Sequence, residues 1–383
     1  MSIPFDYETL RVIWWLLLGV LLIGFVVMDG FDLGVAALLL FVARNDTERR
    51  VAINTIGPVW EGNQVWLILG AGAVFAAWPM VYAAAFSGFY IALFLVLAAL
   101  ILRPVGFEFR AKFPNPLWRA IWDAALFAGG VVPTIVFGVA FGNLLQGVPL
   151  RIDGDLRLFY DGSGLFELLN PFGLMCGLVC AAMITTHGAI WLTGKAEGRV
   201  AERARAYVRL GATATVVLFA LAGLWVAYGI DGYAITGAIA HDGPSNPLLK
   251  TVARAPGQWL ANYRGYHWMM LAPALGLIGP PLALAATAVR RPGLAFICSG
   301  LGIFGIIATA GVSMFPFLMP SDIAPNASLT VWDASSSRLT LFVMLVSTLL
   351  ILPVVLIYTG IVYRALRGPV TPQQVESGST HLY

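Results

Sequence analysis

Charged residues are scarce in this chain of 383 residues. Asp, Glu, Lys and Arg make up 11% of it and hydrophobic residues 59%, and the mean hydropathy is +0.82. Soluble domains are about 25% charged, so a water-soluble globule is excluded, because it could not bury this much apolar surface. The net charge of +3 is too small to indicate a nucleic-acid partner. The composition indicates an integral membrane protein.

Cysteine and histidine are also scarce. The three cysteines, Cys176, Cys180 and Cys298, lie in apolar stretches, so we predict neither a disulfide framework nor a cysteine metal site. Of the four histidines, only His187 and His267 fall in or near apolar runs, and no two are spaced as haem ligands. We therefore expect no haem and no metal in this chain, and a structural role for His187. Phosphate-binding, nucleophile-elbow and HExxH motifs are absent from the sequence, which predicts no complete active site.

The apolar residues are grouped in long runs. Each run can form a helix that crosses a bilayer, which takes about 20 residues. Together they predict an all-α integral membrane protein with about nine transmembrane helices in a single membrane domain spanning residues 1–383. The helices are predicted near residues 10–42, 51–76, 79–102, 120–146, 165–192, 206–228, 266–289, 293–316 and 339–363.

The positions of Lys and Arg predict the orientation in the membrane. Of the 23 basic residues, 16 lie in or beside the segments that follow odd-numbered helices, and 7 lie at the N-terminus or in the other loops. Basic residues favour the cytoplasmic side. We therefore predict an N-terminus outside, a C-terminus in the cytoplasm and an odd number of helices.

Three acidic residues lie well inside the apolar runs, away from the ends of the runs: Asp29 and Asp32 in MDGFDLG, and Glu61 in PVWEGNQVW. A charge at the centre of a bilayer costs roughly 2.5–3.5 kcal/mol, so such residues are expected to face the protein interior and to be functional. Asp29 and Asp32 are three residues apart and share a helix face, and antiparallel packing of the first two helices would bring Glu61 to a similar depth. We predict a proton relay from the cytoplasmic side, with a purely structural polar network as the alternative.

Several polar and aromatic residues near these acids are candidates for support of the relay or of a tunnel: Asn54, Trp60, Asn63, Gln64, Trp66 and Arg103. Arg103 either pairs with an acid or marks the membrane interface, and we favour the interface because arginine is common at helix ends. Trp60 and Trp66 flank Glu61 and could line a tunnel or a lipid-quinone pocket, although helix packing is the commoner role for tryptophan.

A family resemblance extends along nearly the whole chain. A series of segments, in their order along the chain, resembles the haem-free second subunit of cytochrome bd-type quinol oxidases. The segments that carry it are RVIWWLLLGVLLIGFVVMDGFDLG (11–34), RNDTERR (44–50), INTIGPVWEGNQVWLI (53–68), FAAWPMVYAAAFSGFYIAL (75–93), RPVGFEFR (103–110), VAFGNLLQGVP (139–149), LLNPFGL (168–174), GIDGY (229–233), MFPFLMPS (314–321) and NASLTVWDASSSRLTL (326–341).

The resemblance implies a non-haem subunit of a respiratory terminal oxidase in the bacterial cytoplasmic membrane. A partner, subunit I, would bind the haems, b and d or b alone, oxidise quinol at the outer face and reduce dioxygen to water with cytoplasmic protons. Asp29, Asp32 and Glu61 would then belong to the proton route, although the position of Glu61 is often Asp in the family. The resemblance further implies two four-helix bundles plus one additional helix, a possible bound lipid quinone and a possible small accessory subunit.

Two alternatives remain open at this point. A proton-coupled secondary transporter would also place acids at depth, but it needs an internal inverted repeat, which we do not detect. A scaffold subunit would stabilise the oxidase without carrying protons. A transporter should work without a haem-bearing partner, and a scaffold should tolerate neutral substitution of Glu61.

Overall fold

The computed structural model describes residues 3–162 and 164–377. Its helices are α1 (Tyr7–Val42), α2 (Asp46–Ile56), α3 (Trp60–Ala77), α4 (Pro79–Gly88), α5 (Tyr90–Phe109), α6 (Pro116–Gln146), α7 (Leu165–Leu168), α8 (Pro171–Lys195), α9 (Arg199–Gly229), α10 (Ala261–Gly265), α11 (Leu271–Ala288), α12 (Pro292–Met314), α13 (Arg338–Ala365) and α14 (Pro372–Glu376). Three short antiparallel ribbons pair β1 (Leu150–Ile152) with β2 (Leu158–Tyr160), β3 (Asp231–Ile235) with β4 (Val252–Pro256), and β5 (Phe317–Met319) with β6 (Leu329–Thr330).

Eight helices in the described part of the chain are long and apolar enough to cross a membrane. A further long helix, α3, has 18 residues but is less apolar, because Glu61, Asn63 and Gln64 lie in its first two turns. Counting α3, the structure agrees with the all-α prediction of about nine long helices.

Some helix boundaries differ from the prediction. The run predicted over 51–76 is two helices, α2 and α3, separated at residues 57–59, because Pro58 lacks the N–H that would continue the first helix. The run predicted over 79–102 is divided at Phe89 and extends to Phe109. The run predicted over 165–192 is likewise divided, because Asn170 caps a new helix by accepting a hydrogen bond from the Gly173 N–H at 2.7 Å.

The long helices pack in two groups of four. The first group contains α1, α3, α5 and α6, and the second contains α8, α9, α11 and α12, while α13 packs outside them against α1 and α3. This arrangement matches the expected two bundles plus one helix. The groups meet where α1 and α6 contact α8. Gly34 and Gly188 let backbones touch there, because a Cβ on Gly188 would lie 2.5 Å from the Gly34 carbonyl carbon.

The three ribbons lie together at the end of the bundles where α1 begins, which we call the strand end. Arg11, near the start of α1, is fully buried. It donates hydrogen bonds to the Ser335 hydroxyl at 2.8 Å and to the Gly243 carbonyl at 3.0 Å. Lys250 and Asp333 form a buried ion pair at 2.8 Å. These contacts fasten the long segment that contains β3 and β4 to α1 and to the connection that precedes α13.

The opposite end of the bundles carries a cluster of ion pairs. Asp123 in α6 accepts hydrogen bonds from Arg49 of α2 at 2.7 Å and from Arg110 at 2.5 Å. Asp46 pairs with Arg110 at 2.9 Å and with Arg119 at 2.8 Å. Three arginines thus join α2 to the connection between α5 and α6.

Candidate functional site

The first element of the site is a buried ion pair between α1 and α5. Arg103 donates from Nη2 to Asp29 Oδ1 at 2.8 Å and from Nη1 to Asp29 Oδ2 at 3.1 Å, and both side chains are 0% exposed. The geometry is bidentate, which is the strongest arrangement of a guanidinium with a carboxylate. The prediction that Arg103 marks the membrane interface was therefore wrong. Helix α5 continues past Pro104 to Phe109, so Arg103 lies inside the helix and not at its end.

The second element is a chain of hydrogen bonds that starts at Asp32. The Asn63 side chain, from α3, donates from Nδ2 to Asp32 Oδ2 at 2.7 Å. The Asn63 Oδ1 accepts a hydrogen bond at 2.8 Å from the hydroxyl of Tyr363 in α13. Asp32 and Asn63 are buried and Tyr363 is half-buried. Asp32 Oδ1 is buried without a hydrogen-bond partner among the described residues.

Tyr363 was missed by sequence reasoning. It lies 300 residues from Asn63, in a helix that also contains the exposed Tyr358. No pattern in the sequence distinguishes these two tyrosines. Only the packing of α13 against α3 identifies the one that belongs to the site.

Glu61 lies apart from the aspartates. It is exposed in the first turn of α3, two residues before Asn63, and two residues correspond to about 200° around a helix. Asn63 faces Asp32, so Glu61 points to the opposite side. Of the three acids predicted for the relay, the structure therefore brings Asp29 and Asp32 together with Arg103 and Asn63, and Glu61 faces the other side of α3.

The remaining predicted residues have structural contacts. Trp60 is buried, with its ring 5.4 Å from that of Phe107 and 5.8 Å from the Arg103 guanidinium carbon, a cation–π distance. Trp66 is buried against Gly24. Gln64 is half-buried. Asn54 is buried and its side chain donates a hydrogen bond to the Arg50 carbonyl at 2.7 Å.

His187 is buried between the two helix groups. Its Nε2 lies 3.0 Å from the Val27 carbonyl and its Nδ1 lies 2.9 Å from the Ser299 hydroxyl, and its ring stacks on Phe296 at 4.3 Å. Both ring nitrogens therefore have hydrogen-bond partners within the chain. Within residues 3–162 and 164–377, no group of three or more His, Cys, Asp or Glu side chains is arranged to hold a metal ion.

A large apolar cavity lies between the two helix groups. Its volume is about 740 Å³, and its walls include Phe25, Phe137, Cys176 and Gly223. At one end the lining becomes polar, with Tyr263, Arg264, His267, Thr309 and Ser313. Neither Trp60 nor Trp66 is among the residues that line this cavity.

Comparisons with known proteins cover nearly the whole chain. Residues 10–366 match the family described as "Cytochrome bd terminal oxidase subunit II". The chain is 52% identical to cytochrome bd-I ubiquinol oxidase subunit 2 of Escherichia coli, over 99% of this chain and 100% of the relative. It is 34% identical to cytochrome bd ubiquinol oxidase subunit 2 of Bacillus subtilis, over 91% and 93% of the two chains.

A solved structure has the same fold. It is the bd oxidase from Geobacillus thermodenitrificans, with a TM-score of 0.70 and 17% sequence identity, covering 93% of this chain and 98% of the other.

Proposed function

Because the chain belongs to the cytochrome bd terminal oxidase subunit II family, we propose that it is the haem-free subunit of its oxidase complex and carries part of the proton route to the oxygen site. Family membership makes it a subunit of an oxidoreductase complex with a partner subunit I. We assign the haems, b and d or b alone, to that partner. The substrates of the complex are a quinol, ubiquinol as in the names of the relatives, and dioxygen.

The main support for the proton route is the presence of two buried aspartates, of which one forms the ion pair with Arg103. Asp29 uses both terminal nitrogens of Arg103, whereas the hydrogen bond that Asp32 accepts from the described residues comes from the neutral amide of Asn63. A second fully buried carboxyl costs free energy, and ionisable residues at this depth commonly serve proton transfer.

Glu61 supports a route that passes between subunits. Its exposed face of α3 also carries Val65, Ile68 and Leu69, all exposed in the isolated chain. A carboxyl facing hydrocarbon is expensive, so this face fits a protein partner better than lipid. We place Glu61 at the interface with subunit I, where the proton leaves or enters this chain.

The orientation follows from the ends of the bundles. The end opposite the strands holds Arg49, Arg110 and Arg119 in its ion-pair cluster, and basic residues favour the cytoplasmic side. We therefore assign that end to the cytoplasm and the strand end, with the N-terminus, to the outside of the bacterial cytoplasmic membrane. The C-terminus is then cytoplasmic.

The test of the route is Glu61→Gln in the purified complex. We expect slower proton-limited quinol oxidase turnover with unchanged haem absorption, because glutamine keeps the shape but cannot carry a proton. Glu108→Gln, an exposed glutamate near the end of α5, is the matched control. Unchanged turnover in a haem-loaded complex would remove Glu61 from the route, and loss of haem would indicate a scaffold role. The transporter alternative is set aside, because full-length relatives are named as oxidase subunits.

A second proposal concerns the apolar cavity, which we assign to a lipid quinone. Its volume of about 740 Å³ is within the usual range of ligand sites, and polar groups such as Tyr263 and Arg264 lie at one end, as a quinone head group requires. Gly223→Phe should displace it, because a Cβ at Gly223 meets no atom within 4 Å. The measurement is quinone extracted per complex, with Gly360→Phe on α13 as the control. Equal quinone content in both variants would contradict the assignment.

The presence of a small accessory subunit in the complex stays a prediction.

A further inference from the structure

We propose that the two buried aspartates have different tasks, an inference that rests on the proposed proton route: Asp29 is the fixed counter-ion of Arg103, Asp32 carries the proton at Oδ1, and Asn63 and Tyr363 are positioning residues. This division of tasks follows from the hydrogen-bond partners of the two carboxyl groups. It adds Tyr363, from the last long helix, to the residues on which proton uptake depends.

The charges of the site balance only in one way. Asp29, Asp32 and Arg103 are all fully buried, and both terminal nitrogens of Arg103 are bonded to Asp29. If both aspartates were ionised, the site would hold one unbalanced negative charge, and such a charge costs several kcal/mol in a protein interior. Arg103 stays charged, and Asp29 lies in bidentate contact with it. The carboxyl that is free to hold a proton is therefore Asp32.

The hydrogen bonds also indicate which carboxyl oxygen of Asp32 carries the proton. Asn63 Nδ2 is a donor, so Asp32 Oδ2 is an acceptor and cannot direct a proton toward Asn63. Asp32 Oδ1 has no partner among the described residues. The proton accordingly resides on Oδ1, and this is the oxygen from which it can move on.

Tyr363 stabilises the orientation of the Asn63 amide in the structure. Its hydroxyl donates to Asn63 Oδ1 at 2.8 Å, and with Oδ1 engaged in this way the amide directs Nδ2 toward Asp32. An amide with its carbonyl toward Asp32 would instead accept the carboxylic proton and hold it. Tyr363 is packed near Trp191 and Phe31, with ring distances of 6.1 and 6.5 Å, so its hydroxyl is held in place. It thus acts on Asp32 through Asn63 and does not itself carry the proton.

The experiment uses the whole oxidase complex and two readouts: redox-induced infrared difference spectra in the carboxylic-acid C=O region, and proton-limited turnover with haem content as a check. Asp32→Asn should remove a protonated-carboxyl band and slow turnover by about 100-fold, the lower part of the range for a lost proton donor. The variant Asp29→Asn with Arg103→Gln removes both charges together and should keep that band, so it tests the assignment even if Asp29→Asn alone fails to fold.

Tyr363→Phe tests the positioning role. It should shift the Asp32 band and slow turnover by about 2- to 10-fold, the effect of losing one hydrogen bond. Tyr358→Phe, five residues earlier and exposed, should change neither readout. A band that survives in Asp32→Asn, or a Tyr363→Phe variant that matches Tyr358→Phe in both readouts, overturns the proposal.

The proton route and the assignment of the proton to Asp32 can be refuted separately. Wild-type turnover in both Asp32→Asn and the Asp29/Arg103 double variant, with haem intact, would contradict the proton route itself. Slowed turnover in the double variant alone would leave the route in place and reject the assignment of the proton to Asp32.

Discussion

The ion pair of Arg103 with Asp29 should be strongly coupled in stability. Both residues are 0% exposed and their nearest charged atoms are 2.8 Å apart. Arg103→Gln leaves a carboxylate buried without a cation, which should cost about 3–5 kcal/mol of folding free energy. Asp29→Asn leaves an unpaired buried guanidinium and should cost a similar amount.

The double variant should be less destabilised than the sum of the two single variants. With both charges removed, no uncompensated charge remains, and replacing a buried ion pair by neutral residues is often close to neutral. We expect a coupling energy of about 2–3 kcal/mol, at the upper end of the range for contacting residues.

The assay is thermal unfolding of the purified complex for the wild type, both single variants and the double variant, all at one scan rate because membrane complexes commonly unfold irreversibly. Each single variant should lower the midpoint by several degrees. The double variant should recover part of that loss. If its loss equals the sum of the single losses, the two side chains do not interact as the structure shows, and the charge balance assigned to the site is wrong as well.

Three further outcomes are expected. Gly188→Val should destabilise the contact of α1 with α8 by about 1–3 kcal/mol or more, since its Cβ would lie 2.5 Å from the α1 backbone. The control is Gly293→Val, because Gly293 has open space around it. Equal thermal midpoints for the two variants would contradict the close contact. Lys250→Met should leave Asp333 buried and unpaired and speed proteolysis of the segment at 229–265 at the strand end, so an unchanged cleavage rate would count against that ion pair. Partial burial raises the pKa of Glu48, but the hydrogen bonds from Arg203 and from the Arg44 N–H, together with the charges of Arg203 and Arg199, outweigh burial and lower the pKa below its ordinary 4.5. The stability advantage over Glu48→Gln, no more than about 1 kcal/mol, is therefore present at neutral pH and lost as the pH falls through that lowered pKa, and a pH-independent difference in midpoint would refute it.

Much of this protein could be predicted from its sequence, because a bilayer constrains a chain strongly. Every backbone polar group in hydrocarbon must be bonded internally, so long apolar runs must be helices. The cost of burying charge likewise distinguishes Asp29 and Asp32 by their position within an apolar run. The order of the segments from 11 to 341 sufficed to indicate the family.

The tertiary structure decided which of the candidate residues meet. Helix phase turns Asn63 toward Asp32 and Glu61 away from it, and a continuous α5 carries Arg103 into the interior. Hydropathy could predict neither, because it depends on composition along a segment and not on rotation about the helix axis. Tyr363 reaches Asn63 across 300 residues, and contacts of that separation depend on how whole helices pack. The sequence by itself determined that costly polar groups lie within the membrane, and only packing determined their partners.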